Sequence, residues 1–386
     1  MKSPSPAGID VPGLYVHIPF CAARCAYCSF LSGIYKQSKA DIYLDSLRNE
    51  LILKKLDTNY IPSTLFIGGG TPSVLTTNQI EKLFSFVPMP DSSHEATVEL
   101  NPESTTEEKL SLLKGCGINR CSFGVQTFHE KRLRLFDRLH NASEAKHAVS
   151  VAKRVGFKSI NIDLITAWPG QSIDMLRQDL MTSLDLGVTH ISCYTLIHDE
   201  NPGFLRKLEN ENLSICDDQT MRVFWDETIS FLERHGFGHY EVSNFSLPGY
   251  ECRHNIDTWK GKEYHGIGLG AHSHIAEERF SNTCDMNEYR AMTEKGIIPT
   301  TFSEKLDKEE KARETAVFWL RMREGVDTVE FRKRTGMDFF ELYRKEFAGL
   351  SSFGALTMVK NQDGRSTVRV GDEYYPVLDS VLEQLL

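Results

Sequence analysis

Short β-branched and aromatic runs alternate with amphipathic helical stretches from the N-terminus to about residue 245, a rhythm that predicts βα units and a parallel sheet. The candidate strands are Leu14–Phe20, Thr64–Gly68, Ala96–Leu100, Arg120–Val125, Ser159–Leu164, His190–Leu196 and Tyr240–Asn244. Between them, Ala145, Ala148, Val149, Ala152 and Val155 repeat at helical spacing and stop at Gly156. Leu176, Leu180 and Leu184 do the same before Gly187, and Met221, Phe224, Trp225, Thr228 and Leu232 before Gly236. These stripes read as core-facing sides of helices.

In a barrel of parallel strands the chemistry sits at the carboxyl ends of the strands. Here the Thr64 strand runs into Gly68-Gly69-Gly70-Thr71-Pro72, and the Ala96 strand carries Glu99 and then Asn101-Pro102. The Arg120 strand ends in Gln126, and the Ser159 strand carries Asp163. One face of the sheet thereby collects glycines, carboxylates and an amide.

After about residue 300 the pattern changes. Ser303 to Arg323 reads as one long helix, Thr328 to Leu350 as two short helices around Gly336, and Leu356 to Val370 as a hairpin turning at Asp363-Gly364. Helix, helix and hairpin give a winged-helix outline. A DNA-binding role is disfavoured, because residues 303–350 hold 11 Lys plus Arg against 11 Asp plus Glu and so present no basic face.

Composition adds bounds rather than direction. A chain of 386 residues, 40% hydrophobic and 25% charged, suits one large domain and one smaller one and excludes fibres and disorder. The net charge of −9 asks any nucleic-acid partner for a local basic patch, and no basic run supplies one. No apolar stretch is long enough for a membrane span, and Met1 to Asp10 lacks the apolar core of a signal peptide, so the expected address is the cytoplasm.

Of nine cysteines, Cys116, Cys121, Cys193, Cys216, Cys252 and Cys284 lie far apart with no regular spacing, which argues against a secreted disulfide framework. Cys252, two residues before His254, is the one to examine first for reactivity. Cys21-x3-Cys25-x2-Cys28 is different: it sits in the loop leaving the first strand, where a barrel keeps its site. Zinc normally takes four Cys or His ligands, and the second pair is missing, while His17 lies inside the predicted strand and is poorly placed to complete the set. Three thiolates on one loop suit a [4Fe–4S] cluster with one open iron.

Cys-x3-Cys-x2-Cys after a first strand resembles the radical S-adenosylmethionine (SAM) superfamily. That resemblance implies a partial (β/α)6 barrel, an α/β fold, in which the open iron chelates SAM and one electron from the cluster yields a 5′-deoxyadenosyl radical. Tyr15-Val-His-Ile-Pro-Phe-Cys21, Gly68-Gly-Gly-Thr-Pro-Ser73, Glu99-Leu-Asn-Pro102, Gly124-Val-Gln-Thr-Phe128 and Asn161-Ile-Asp-Leu164 look like the coproporphyrinogen oxidase-like branch of HemN and HemW. By matching position, the resemblance implies cluster ligation by Cys21, Cys25 and Cys28, and a SAM pocket of Tyr15, Tyr27, Gly69, Gly70, Thr71, Glu99, Gln126, Arg138 and Asp163.

Within the branch, HemN-type enzymes carry a fourth cysteine two residues after the third, where this chain has Phe30, and a long segment before the equivalent of Tyr15, where it has fourteen residues. Both departures point to the HemW family of heme chaperones. Its motif His-Asn-x-x-Tyr-Trp appears as His254-Asn-Ile-Asp-Thr-Trp259, with Thr258 in place of the tyrosine, followed by Tyr264-His-Gly-Ile-Gly-Leu-Gly-Ala-His272. An imidazole ligates heme iron and an indole stacks on a porphyrin, so His254 and Trp259 are the expected heme contacts. A second departure is Ala167-Trp168 where the family shows Gly-Leu; the indole either reshapes the mouth beside Asp163 or fills a gap in packing.

The resemblance thus implies a chaperone that binds the cluster, SAM and heme and passes heme to an acceptor protein, served by an electron donor such as flavodoxin or ferredoxin. A homodimer and transient contact with a membrane fit the same picture. The alternatives are a radical SAM enzyme for oxidative decarboxylation of coproporphyrinogen III, and a redox sensor whose cluster reports oxygen or iron status. The expected division is a barrel over 11–245, a connecting segment over 246–300 with the His254 motif, and a winged-helix-like C-terminal domain over 301–386.

Overall fold

Six strands pair in chain order, all parallel: β1 (Gly13–Ile18), β2 (Leu65–Gly69), β3 (Ala96–Leu100), β4 (Arg120–Gln126), β5 (Ser159–Ile165) and β6 (His190–Tyr194). The computed structural model describes residues 11–57, 59–196, 202–360 and 364–386. The strands are nearly continuous apolar runs because helices cover one face and the barrel interior the other. Leu14, Val16, Ile18, Leu65, Ile67, Val98, Phe123 and Ile162 form the centre of the larger core.

The crossover helices begin where the sequence offers caps. Thr76 and Gln79 form a capping box before Thr77–Phe84, and Asn141 and Glu144 do so before Ala142–Val155, which ends at Gly156 with φ 96°.

Several elements differ from the sequence expectation. The first strand stops at Ile18 because Pro19 offers no N–H to a ladder, and Phe20–Cys21 pairs separately with Gly33–Ile34. Tyr240–Asn244 is not a seventh parallel strand: β7 (Gly238–His239) and β8 (Asn244–Ser246) flank it and run antiparallel, β8 against β6. The stretch 246–300, read as a connection, adds to the main sheet: β9 (Tyr264–Ile267) lies parallel to β1, and β10 (His272–Ile275), β11 (Glu278–Asn282) and β12 (Thr300–Lys305) follow antiparallel. Glycines and histidines interrupt these strands, so no long β-branched run betrays them.

The long helix expected from Ser303 is strand β12 followed by a helix over Lys308–Trp319, because Asp307 caps the helix by accepting from Glu309 N and Glu310 N. Beyond it, Thr328–Thr335 ends at Gly336, and Phe339–Leu342 and Arg344–Ser352 replace the single second helix. Leu356–Lys360 and Ser366–Val370 form the expected hairpin, joined by Val326–Asp327 in a three-stranded sheet. Its turn at Asp363 and the segment Met1–Asp10 lie outside the described residues.

These C-terminal elements share a second core from Ala312 to Leu385, against which Trp225, Tyr240, Ile256 and Trp259 pack from the larger unit. Among the described residues no helix is long and apolar enough to cross a membrane.

Candidate functional site

The loop after β1 and the carboxyl ends of β2 to β5 enclose a cavity of about 120 Å³. Cys21, Cys25 and Cys28, all free thiols, line it together with Tyr27, Gly69, Gly70, Thr71, Glu99, Gln126, Arg138 and Asp163. Thr71 Oγ1 donates to Cys21 Sγ at 3.5 Å, and Arg138 Nη1 to Cys25 Sγ at 3.3 Å. Burial raises the Cys28 thiol, and the neighbouring Cys25 and Cys21 add to that shift. The three thiols and the Arg138 guanidinium thus share one cavity. Among the described residues no group of three His, Cys, Asp or Glu side chains is gathered so as to hold a metal ion.

The glycine turn is bare for a steric reason. Gly69 has φ 108°, and a Cβ there would fall 2.4 Å from His17 Cε1; one on Gly70 would fall 2.7 Å from Phe20 O. The Gly69 N–H donates to Glu99 Oε2 at 3.0 Å. Burial, and then repulsion from Asp163, push the Glu99 carboxyl up to about 7. Asp163 is also raised by burial, while accepting from Asn161 Nδ2 at 2.7 Å and Ser122 Oγ at 3.4 Å.

A bulge in β4 aims the next group. Gln126 sits at φ 74°, opposite Leu164, and accepts from Tyr194 Oη at 2.5 Å. A non-glycine residue held there is local strain of the kind found at functional sites.

Arg138 is half-buried and lines this cavity, not the surface ion pair its sequence neighbours suggest. Its Nη2 donates to Asn101 Oδ1 at 2.8 Å and to Gly124 O, and Gly124 makes this approach feasible, since a Cβ there would lie 2.8 Å from Asn101 Oδ1. One half-buried cation and two half-buried acids on one wall suit a ligand carrying a carboxylate, an ammonium and hydroxyls. SAM has this chemistry. Asn101 and Tyr194 belong to the wall although the sequence reading did not select them; the Asn-Pro pair directly after β3 was the available signal.

Tyr15 lines a second cavity instead, of about 400 Å³, with Phe66, His254, Trp259, Tyr264 and His272. Its Oη lies 2.9 Å from His17 Nδ1, and His17 Nε2 lies 3.0 Å from Leu31 O in the cysteine loop. Both His17 ring nitrogens are thereby engaged.

The helix Arg253–Trp259 carries His254 and Trp259 to this cavity. His254 Nδ1 is 2.8 Å from Thr64 Oγ1, its ring lies over Phe66 with centroids 5.3 Å apart, and burial lowers its pKa to about 4. The imidazole is neutral at pH 7, and Nε2 has no hydrogen-bond partner among the described residues. That is the state in which an imidazole binds iron. Trp259 lies beside Phe318 with Arg321 over its ring at 5.5 Å, so one face is already taken. Thr258 turns its hydroxyl to His254 O at 2.9 Å. The sequence reading passed over Phe66, and quoted Tyr264 and His272 in the block after the motif without giving either a role.

Two further questions are settled by packing. Trp168 is fully buried among Leu135, Phe136, Ile165 and Phe204, with Arg132 over its ring, and lines neither cavity; it fills a core on which Ala26 and Tyr27 rest. Cys252 is buried and its thiol pushed up, first by burial and then by Glu95, so it is not a reactive thiol.

A chain of hydrogen bonds crosses the interior between the two cavities. From Asp163 it passes through Asn161 to His190 Nδ1 at 2.6 Å, from His190 Nε2 to Tyr240 Oη at 2.8 Å, and on to Cys252 N at 3.2 Å. Glu95 then accepts from the backbone N–H groups of Arg253 and His254 at 2.8 and 3.1 Å.

Comparison with known proteins follows the same division. Residues 15–181 match the family described as the radical SAM superfamily, and residues 306–365 match the HemN C-terminal domain. The heme chaperone HemW of Lactococcus lactis is 32% identical over 377 residues, 96% of each chain. That of Bacillus subtilis is 33% identical over 348 residues, 89% of this chain and 92% of the relative. That of Escherichia coli is 34% identical over 271 residues, 68% and 70% of the two chains. Among solved structures, coproporphyrinogen III oxidase (HemN) from Escherichia coli, a radical SAM enzyme, matches with a TM-score of 0.82 at 23% identity over 97% of this chain and 90% of that one, a likeness of fold.

Proposed function

The chain belongs to the HemW family of the radical SAM superfamily, and we propose that it is a heme chaperone that binds a [4Fe–4S] cluster, SAM and heme and passes heme to an acceptor protein. The observation that carries the proposal is the pairing of two cavities through one strand and its loop: three thiols with Arg138, Glu99 and Asp163 on one side, and a neutral His254 with Trp259 on the other.

Cys21, Cys25 and Cys28 would hold the cluster. When bound, it supplies an open iron for the amino and carboxylate groups of SAM and a low-potential electron. Arg138 pairs with the SAM carboxylate, Glu99 and Asp163 take the ammonium or the ribose hydroxyls, and the Gly69–Thr71 backbone gives the close approach a methionyl group requires. Tyr27 closes the loop side, packed edge-on against Phe136 at 5.4 Å. Tyr15, assigned with this set by sequence position, faces the heme side and joins the two through His17.

On the heme side His254 ligates iron and Trp259 lies along the macrocycle. SAM and cluster then regulate or energise handling of the cargo. An acceptor protein, an electron donor such as flavodoxin or ferredoxin, a homodimer, a cytoplasmic address with transient membrane contact, and the division at 245 and 300 complete the proposal.

Oxidative decarboxylation of coproporphyrinogen III is the competing reading. Phe30 weighs against it: where those enzymes place a fourth cysteine, this chain puts a side chain 70% exposed at the rim of the cluster cavity. The test is anaerobic cluster reconstitution followed by two assays on one sample. A saturable Soret shift with heme and no protoporphyrinogen from coproporphyrinogen III, SAM and reductant are expected; robust decarboxylation would overturn the chaperone assignment. Replacing Cys21, Cys25 or Cys28 should abolish bound iron and sulfide, and wild-type content in those variants would refute the cluster.

A further inference from the structure

We propose that His272 is the second, exchangeable axial ligand of the heme iron that His254 holds, an assignment that rests on the heme reading of the larger cavity.

Five observations lead to it. His272 lines the same cavity as His254. Gly266 stands in register with Tyr15, whose side chain also faces that cavity, and a Cβ on Gly266 would fall 1.9 Å from His272 O. The bare glycine therefore lets the backbone of β10 close over the cavity face of β9, bringing His272 beside it. The His272 side chain is exposed and has no hydrogen-bond partner among the described residues, so both ring nitrogens are free. Among the other histidines, His17 spans Tyr15 and Leu31, His265 packs edge-on against Tyr60 at 5.7 Å, and His274 lines the neighbouring cavity rather than this one.

The two proposed ligands are unequal, and the inequality suits a carrier. His254 is 8% exposed, fixed at Nδ1 by Thr64 and packed at a tilt against Phe66, with its helix start held by Glu95. His272 has no such support. Nothing fixes its tautomer or ring plane, so its bond to iron costs more conformational entropy and breaks first. Handover then begins as a ligand exchange: the Fe–N bond to His272 breaks, a donor atom of the acceptor forms its own bond to the iron, and His254 retains the heme until the exchange is complete. No electron is transferred and the iron keeps its oxidation state.

The test uses ferric heme bound anaerobically to the reconstituted full chain, read by resonance Raman spin-state marker bands and by electron paramagnetic resonance. Wild type should give a six-coordinate low-spin spectrum. His272→Ala should still bind heme but shift to a five-coordinate high-spin spectrum, and added imidazole should restore the low-spin form. His272→Ala should also release heme faster to apomyoglobin. A low-spin spectrum unchanged in His272→Ala, or a high-spin wild type, overturns the ligand assignment while leaving heme binding intact. Wild type with no saturable heme binding overturns the reading beneath it and this assignment together. Circular dichroism of the variant and the imidazole rescue separate ligand loss from misfolding.

Discussion

His190 Nε2 lies 2.8 Å from Tyr240 Oη, and this contact fixes the protons of the buried chain that crosses the barrel. Asn161 spends its amide hydrogens on Asp163 and Ser122, so its carbonyl accepts from His190 Nδ1–H. His190, whose pKa burial holds well below the ordinary imidazole value, therefore accepts at Nε2 from the Tyr240 hydroxyl, which in turn accepts from Cys252 N. Every member has one satisfied role.

Tyr240→Phe removes only the hydroxyl and leaves His190 Nε2 and Cys252 N without that partner. A loss of about 1–3 kcal/mol is expected, the cost of leaving buried polar groups unpaired. Urea unfolding measures it, and stability within a few tenths of wild type would mean the chain of bonds is not maintained in solution.

Glu99 gives a pH signature. With its carboxyl at about 7 in the folded chain and near 4.3 when unfolded, the native state binds the extra proton between those values. Stability is then fully present below the unfolded value and declines as pH rises through about 7, by about 4 kcal/mol at most. Glu99→Gln keeps an acceptor for Gly69 N–H and removes the titration. The cluster-free variant should melt higher than wild type at pH 8 and close to it at pH 5; a gap of equal size at both would exclude Glu99 as the source.

Arg138→Lys tests the guanidinium. A lysine ammonium has no planar fork to reach Asn101 Oδ1 and Gly124 O while facing Cys25. SAM affinity of the cluster-loaded variant should fall at least about tenfold, as charge-assisted hydrogen bonds are worth about 1.5–3 kcal/mol. Calorimetric titration decides it, and unchanged affinity would remove Arg138 from the SAM site.

Trp168→Leu replaces the indole with a smaller apolar side chain. The smaller side chain leaves a void but also removes an indole N–H that has no hydrogen-bond partner among the described residues, so a net loss of about 2 kcal/mol is expected. Ala26 and Tyr27 rest on the same core, so iron release to a chelator should quicken; wild-type stability and release rate together would count against this role.

The six parallel strands were legible because each is buried on both faces and reads as an apolar run. The strands over 264–305 were not, since Tyr264-His-Gly-Ile and His272-Ser-His-Ile carry their pairing in backbone contacts that glycine permits rather than in hydrophobic pattern. Ser303 looked like the start of a helix until the Asp307 cap placed that start four residues later. At the site, the cysteine spacing and the glycine turn stood out in one dimension. The direction of Tyr15 did not, because it depends on how β1 registers against β2 and β9. His272 was hidden for a related reason: its place beside His254 arises from a close crossing over Gly266.

The pair of contacts from Tyr15 to His17 and from His17 to Leu31 O ties the cysteine loop to the wall of the larger cavity. If the loop unravels after oxidative loss of its metal, His17 loses the carbonyl that orients it and Tyr15 loses its anchor. On the chaperone function proposed above, cargo loading would then be conditional on an oxygen-sensitive part being intact, and damage to the loop would withdraw the carrier from service before it could deliver to the wrong place.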